Sequence, residues 1–354
     1  MREKEKRDKE HFRGCLLGGA VGDALGWPVE FLSRDEIIER YGEYGIRDLV
    51  IGKNGKGEIT DDTQMTLFTA EGILRAATRL THKGICHAST VVYNAYKRWL
   101  ITQGYSDIKD YDIVNSGWLI KVRELHERRA PGNTCLSALL SGKMGTTKDP
   151  INNSKGCGGI MRAAPAGLFY PKDLAFDMAV DFAAITHGHP TGYLAAGALA
   201  YLIALTIEGK ELEDAIERTI SKLSTYRSNE ECREILIKAF ELAKSDLDDI
   251  EAISKLGQGW VAEESLGISV YCALRHKKDF KKALITAVNH DGDSDSTGAI
   301  TGNILGAYLG VDSIPKEWIE NVELRDVIIR IADDLLVDYI DENDEQWWNS
   351  YPGY

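Results

Sequence analysis

Two clusters of oxygen-bearing side chains, far apart in the chain, could do chemistry together. Thr60-Asp61-Asp62-Thr63 stands directly before a helical pattern that starts near Gln64. Asp291-Gly292-Asp293-Ser294-Asp295-Ser296-Thr297 stands directly before another that starts near Gly298. Aspartates with threonine or serine offer only hard oxygen donors, which suit divalent cations such as Mg²⁺ or Mn²⁺. The same residue types also cap helix N-termini and complement the helix dipole, and capping alone explains a single Asp-Asp pair. Three aspartates with serines and a threonine in one short stretch exceed what a cap needs. Carboxylates packed that closely repel each other unless a cation neutralises them.

The nearest rival is a calcium-binding EF-hand loop. Asp291, Asp293 and Asp295 fit its first half, but position six is Ser296 rather than Gly and position twelve is Gly302 rather than Glu. Both departures remove essential features, so that loop is excluded. GKNGKGEIT lacks P-loop spacing. GCGGIM has no third glycine at the dinucleotide-binding position, and no G-x-S-x-G nucleophile elbow is present.

These residues have to be positioned by helices. Apolar residues recur at three- and four-residue spacing over 64–80, 191–207, 211–223, 230–245, 261–275, 279–288, 297–309 and 325–340. Alternating strand-like runs are nearly absent, so the expected fold is all-α, as a single compact multi-helix domain. Gly14, Gly18, Gly22 and Gly26 repeat every fourth residue, as do Gly298, Gly302, Gly306 and Gly310. That spacing draws a narrow glycine stripe along a helix, tolerated where another backbone must come close. The two stripes predict a crowded central pair, 14–26 against 297–310. Segments 42–60 and 141–160 are long Gly-rich loops, the first with room for a short strand. Residues 1–13 form a charged N-terminal extension, 14–340 the domain, and 341–354 an acidic aromatic tail docked on it.

Composition bounds the partners. The 354 residues carry a net charge of −13, with 44% hydrophobic and 27% charged residues. That is ordinary for a folded protein and argues against broad attraction to nucleic acid or an anionic membrane. The six cysteines are scattered and form no Cys-x-x-Cys pair. This predicts a reducing compartment, with neither a disulfide framework nor a zinc site. The first ten residues are too polar for a signal peptide and no transmembrane helix is expected, so cytoplasm is the expected location.

Six segments together resemble the ADP-ribosylglycohydrolase family. They are GCLLGGAVGDALGWPVEF (14–31), EITDDTQMTL (58–67), SKGCGGIMRAAPAGL (154–168), ITHGHPTGYLAAGAL (185–199), GQGWVAEESL (257–266) and NHDGDSDSTGAITGNILGA (289–307), in the family's order. The resemblance implies an all-α bundle with two Mg²⁺ or Mn²⁺ ions in a cleft. It also implies hydrolysis of the bond between ADP-ribose C1″ and an acceptor, most plausibly arginine, with serine or another acceptor as the alternative. By the same resemblance Thr60, Asp61, Asp62 and Asp295 hold one ion. Asp293, Asp295 and Ser296 hold the other, with Ser296 standing where Thr is commoner. Glu30 matches a glutamate that reaches the cleft for gating or acid–base work. Asp293 is a candidate proton acceptor from water, and Asp23 a group that orients the ligands. Ser154, Lys155, Gly156 and Gly158 match a diphosphate and distal-ribose loop, and His187 a ligand-contacting histidine. Trp260 is either an adenine-stacking surface or a core residue. Glu263 and Glu264 match without an assigned role. The implied partner is an ADP-ribosylated protein. A protein that binds and neutralises an ADP-ribosyltransferase toxin is the rival of another class.

Overall fold

In a computed structural model of the chain, residues 5–108, 114–337, 339–341 and 343–353 are described. Seventeen α-helices run through them. The first eight are α1 (Lys9–Gly26), α2 (Arg34–Tyr41), α3 (Asp61–Lys83), α4 (Ala88–Thr102), α5 (Asn133–Leu140), α6 (Ala164–Phe169), α7 (Lys172–Ala184) and α8 (Pro190–Ile207). They continue with α9 (Leu212–Leu223), α10 (Glu230–Ala243), α11 (Asp249–Leu256), α12 (Ala262–Arg275), α13 (Phe280–Val288), α14 (Ser294–Leu309), α15 (Lys316–Asn321), α16 (Arg325–Leu335) and α17 (Glu345–Ser350). Among the described residues no strand forms. Segment 42–60 contributes only isolated bridges, Ile51 to Gly57 and Gly57 to Val322.

The glycine stripes explain the centre of the fold. α1 and α14 lie antiparallel, and Gly14, Gly18 and Gly22 of one face Gly306, Gly302 and Gly298 of the other, backbone to backbone. A Cβ placed on Gly14, Gly18 or Gly22 would lie 2.3, 2.4 and 2.0 Å from the carbonyl oxygens of Gly306, Gly302 and Gly298. At Gly26 it would meet the Ser294 oxygen at 2.3 Å. Such contact admits no side chain, which is why glycine is used here despite costing about 1 kcal/mol per helical site. Asn303 locks the register by donating from Nδ2 to the Cys15 carbonyl, 2.8 Å.

Several boundaries differ from those expected, and the differences matter for the site. α3 starts at Asp61, not Gln64, with Thr60 as its N-cap; α14 starts at Ser294, not Gly298, with Asp293 as its N-cap. The acidic residues therefore sit in the first helical turns rather than in preceding loops. α1 begins at Lys9, inside the charged stretch read as an extension. Asp8 caps it, and Phe12 is fully buried. α16 stops at Leu335. α4 lacked a clear helical stripe in the sequence because it buries residues on nearly every side, with Tyr96 and Trp99 in the core.

α8 is long and apolar enough to cross a membrane, with a mean hydropathy of 1.5, but 89% of it is buried by its neighbours, the pattern of a core helix. All six cysteines are unpaired.

The tail docks on the body through α17. Tyr351 is fully buried and donates its hydroxyl to Asp334, 2.5 Å; Trp347 donates to the Thr78 hydroxyl, 2.9 Å; and Arg75 donates to the Pro352 carbonyl, 3.0 Å. Tyr351→Ala should therefore destabilise the fold by about 3 kcal/mol, the usual result of truncating a buried aromatic. Urea unfolding measures this, and a midpoint matching the wild type would show that the tail does not support the core.

Candidate metal and ADP-ribose site

Three helix ends converge on one point. α1 runs through a short 3₁₀ turn, Trp27–Val29, that turns Glu30 inward and leaves Phe31 exposed at the rim. The N-termini of α3 and α14 bring Thr60, Asp61 and Asp62 against Asp293, Asp295 and Ser296. Both helix dipoles favour negative charge here. Carboxylate oxygens of Glu30, Asp293 and Asp295 all lie within 4.8 Å of one another. The close α1–α14 packing makes this possible, because it fixes where α14 begins relative to the end of α1.

Asp23, Asp61, Asp293 and Asp295 each have a definite local anchor. Asp23, fully buried on α1, accepts from the Thr60 and Thr63 amides at 3.0 and 3.1 Å and from the Thr63 hydroxyl at 2.5 Å. It thereby holds the first turn of α3. The Thr60 hydroxyl accepts from the Asp62 amide, 3.2 Å, and Asp61 accepts from the Gly132 amide, 3.0 Å. The Ser296 amide donates to Asp295 at 2.9 Å and to Asp293 at 3.3 Å. Asp291 is excluded from this group: it is exposed and accepts from the Arg34 amide at 2.7 Å, at the start of α2.

The electrostatics are severe. Asp23, Glu30, Asp61, Asp62, Asp293 and Asp295 are all buried, and none forms an ion pair with a Lys, Arg or His among the described residues. Burial pushes every one of these carboxyls up. Repulsion from Asp295 adds to this at Glu30, Asp61, Asp62 and Asp23, and Asp23 reaches about 7. Glu30 Oε2 and Asp62 Oδ2 are buried with no hydrogen-bond partner. Oxygen-only donors, surplus negative charge and unpartnered carboxylate oxygens fit a hard divalent cation.

This cluster forms the floor of a cleft of about 470 Å³. One wall is Gly156-Cys157-Gly158 with His187, and another is the segment Arg128–Thr134. The glycine loop is pinned rather than loose. Cys157 donates its amide to the Trp260 carbonyl, 3.2 Å, and Ala262 donates to the Lys155 carbonyl, 2.8 Å. A Cβ on Gly158 would sit 2.9 Å from Cys135 Sγ and 3.0 Å from His187 Cε1, so those side chains would have to shift to admit it. His187 is buried beside Thr186, whose hydroxyl is 2.8 Å from its Nδ1. Burial and then Arg162 push its pKa down to about 3, so the ring is neutral. Ser154 lies at the edge, its hydroxyl 3.2 Å from that of Thr134. Lys155 does not line the cleft; its ammonium pairs with Glu263 and, at 3.0 Å, with Glu231. Glu264 accepts from the Gln258 and Gly259 amides, 3.0 and 3.1 Å, bracing the loop that carries Trp260. Trp260 is no core residue: it is 38% exposed at the rim and stacks on Phe31 with ring centroids 5.8 Å apart.

Sequence reasoning missed Phe31, Cys157 and the whole Arg128–Thr134 wall. Pro131-Gly132 before a short apolar run was a turn signal that could have marked the start of α5.

Relatives match this chain nearly end to end. It is 30% identical to the ADP-ribosyl-(dinitrogen reductase) glycohydrolase of Rhodospirillum rubrum, over 88% of this chain and 90% of that one. It is 28% identical to the ADP-ribosylarginine hydrolase Tri1 of Serratia proteamaculans, over 94% of this chain and 80% of that protein. A solved structure described as an ADP-ribosylglycohydrolase-related protein complex superposes with a TM-score of 0.60 at 25% identity, covering 94% of this chain and 98% of that one. The ADP-ribosylglycohydrolase profile spans residues 4–345, and the chain belongs to that family of hydrolases, which act on ADP-ribosylated substrates.

Proposed function

We propose that this enzyme removes ADP-ribose from arginine side chains of modified proteins, with two Mg²⁺ or Mn²⁺ ions held by Thr60, Asp61, Asp62, Asp293, Asp295 and Ser296. The observation that carries the reading is the buried, unpaired carboxylate floor, with free oxygens on Glu30 and Asp62, beneath a glycine-lined cleft. When bound, the cations supply Lewis acidity towards ribose hydroxyls and water. The chain's own groups do the rest. Backbone N–H groups around Gly156 and Gly158 receive the diphosphate, with Ser154 at the edge and neutral His187 as a donor or acceptor behind them. Asp293 takes the proton from the attacking water, and Glu30 governs access and proton exchange at the same point. As the C1″–N bond breaks, the carboxylates stabilise positive charge at the anomeric carbon. The Lys155 ammonium, engaged by Glu231 and Glu263, acts at a distance by bracing the loop.

Arginine as acceptor is supported by the similarity to the Serratia relative, an ADP-ribosylarginine hydrolase. Unpaired cysteines throughout fit a reducing cytoplasm. The test is a panel of ADP-ribosylated arginine and serine peptides with Mg²⁺ or Mn²⁺. Arginine should be released at least about tenfold faster, within the range a pocket contact discriminates. Equal rates, or turnover unaffected by chelation, would overturn the proposal.

A further inference from the structure

A buried cation stands behind the wall of the cleft. Arg162 closes the SKGCGGIMR segment but does not line the cleft, and among the described residues no carboxylate pairs with it. A guanidinium keeps its charge when buried, and burying it without a counter-ion is costly. Its Nε has no partner, and its central carbon lies 4.2 Å from the centroid of the Tyr96 ring. The other two nitrogens point at the wall. Nη1 donates to Cys135 Sγ, 3.3 Å, and Cys135 donates in turn to the Gly158 carbonyl, 3.9 Å. Nη2 donates to the Thr186 hydroxyl, 2.7 Å, and at 3.4 Å to the Phe182 carbonyl.

The bond to Thr186 decides where a hydrogen sits further on. The Thr186 hydroxyl is 2.8 Å from His187 Nδ1, and the ring is neutral, so it has a single N–H whose place decides which nitrogen donates. With its oxygen receiving Arg162, the hydroxyl turns its own hydrogen to Nδ1. The rival acceptor is Cys135 Sγ, a weak one that already receives Nη1 of Arg162. Nε2 then carries the ring hydrogen. His187 is 1% exposed, yet Nε2 has no partner among the described residues. It faces the glycine loop, where a Cβ on Gly158 or Gly156 would lie 3.3 or 3.6 Å from it. The backbone here is held as well: Asn152 Nδ2 donates to the Thr186 carbonyl, 2.8 Å, and Asn152 Oδ1 accepts from the Gly188 amide, 3.0 Å. We infer that Arg162 and Thr186 are positioning residues that hold His187 as its Nε2–H tautomer, a fixed donor to a phosphate oxygen seated on the glycine loop. The inference deepens the reading of the cleft as an ADP-ribose site and rests on it.

The experiment labels the histidines of the whole chain with nitrogen-15 and reads the His187 tautomer by NMR without metal, with His187→Gln identifying its signals. Binding of ADP-ribose and of inorganic pyrophosphate, with Mg²⁺ present, is measured on the same variants. Wild type should show the Nε2–H form alone. Thr186→Val keeps the shape and loses the hydroxyl; it should admit the Nδ1–H form and weaken both ligands at least about tenfold, the loss of one hydrogen bond to a charged group. Thr186→Ser should restore both tautomer and affinity. Arg162→Met should show mixed tautomers without a lower melting temperature, because it removes an unpaired buried charge. Wild type in the Nδ1–H form, or the Nε2–H form alone in Thr186→Val and Arg162→Met, overturns the inference. So does a loss for ADP-ribose that pyrophosphate does not share, since the donor then serves a ribose. If wild type binds neither ligand, the cleft is no ADP-ribose site and the inference falls with it. If it binds both and the variants keep the tautomer, only the relay fails. The preferred acceptor residue affects none of these measurements, because ADP-ribose is common to all acceptors.

Discussion

Asp295→Ala should lower kcat/KM for ADP-ribosylarginine by at least about 10³-fold, roughly 4 kcal/mol of transition-state stabilisation. Asp295 is the one carboxylate that interacts with all the others. It repels Asp23, Glu30, Asp61 and Asp62, stands against Asp293, and the 2.9 Å hydrogen bond it accepts from the Ser296 amide does not offset its burial. A residue so placed either joins two cations or is a heavy liability to the fold. The two cases separate on stability. Removing a buried, uncompensated charge does not weaken a metal-free fold, so the variant should melt no lower than wild type in chelator. It should also lose the stabilisation that Mg²⁺ gives the wild type. Asp291→Ala is the control. It lies in the same acidic stretch but is exposed and holds only the Arg34 amide, so its rate should stay within about threefold, the small effect of an exposed substitution. If Asp295→Ala keeps a tenth of the wild-type rate, the bridging role is wrong.

The contrast between Asp291 and Asp295 shows what the sequence could and could not reveal. Spacing alone made the stretch from Asp291 to Thr297 too acidic for a cap, and oxygen donors pointed to a hard cation. Which aspartates turn inward depends on where α14 begins, and helix boundaries are the least legible feature of a sequence. Ser294 starts the helix because Asp293 can cap it through the Ser296 amide, while Gly292 (φ +135°) turns the chain beneath Gln258. Asp291 is thereby left outside the turn. The antiparallel α1–α14 pair was legible for a stronger reason. Glycine at every fourth position has few explanations in a helix, so two such stripes almost name each other.

The missed wall has the opposite character. Arg128, Gly132 and Thr134 reach the cleft because Asp61 binds the Gly132 amide and because Arg129 pairs with Glu323 from the far end of the chain. Neither contact has a local signature, since both depend on segments distant in sequence. Trp260 was ambiguous for a similar reason. Its exposure depends on Glu264 bracing the turn and on Phe31 lying across from it, and no periodicity records either.

Gly302→Val should leave no folded protein, and Gly302→Ala should separate packing from chemistry. A Cβ on Gly302 would lie 1.9 Å from the Gly18 oxygen, 2.4 Å from the Gly18 carbonyl carbon and 3.0 Å from the Gly19 amide nitrogen. All three are backbone atoms, so no rotamer change can relieve the clash and the helices must part. Overpacking of this kind costs about 1–3 kcal/mol, and the better helix propensity of alanine returns about 1. The net loss for alanine should therefore be about 2 kcal/mol at most by urea unfolding. The two branched methyls of valine drive further into the same backbone, and the native packing has no room for them. Activity should fall further than stability in the alanine variant. Moving α14 outward shifts Asp293 and Asp295 away from Glu30 and Asp23, and a misplacement of about 1 Å costs on the order of 10²-fold in rate. Gly267→Ala on α12 provides the comparison, because its new Cβ meets the Ile235 side chain, Cγ1 at 2.5 Å, rather than backbone. That side chain can yield, so its effect on both stability and rate should be smaller. Should Gly302→Ala match wild type in stability and rate, the α1–α14 contact would not be what sets the carboxylate geometry.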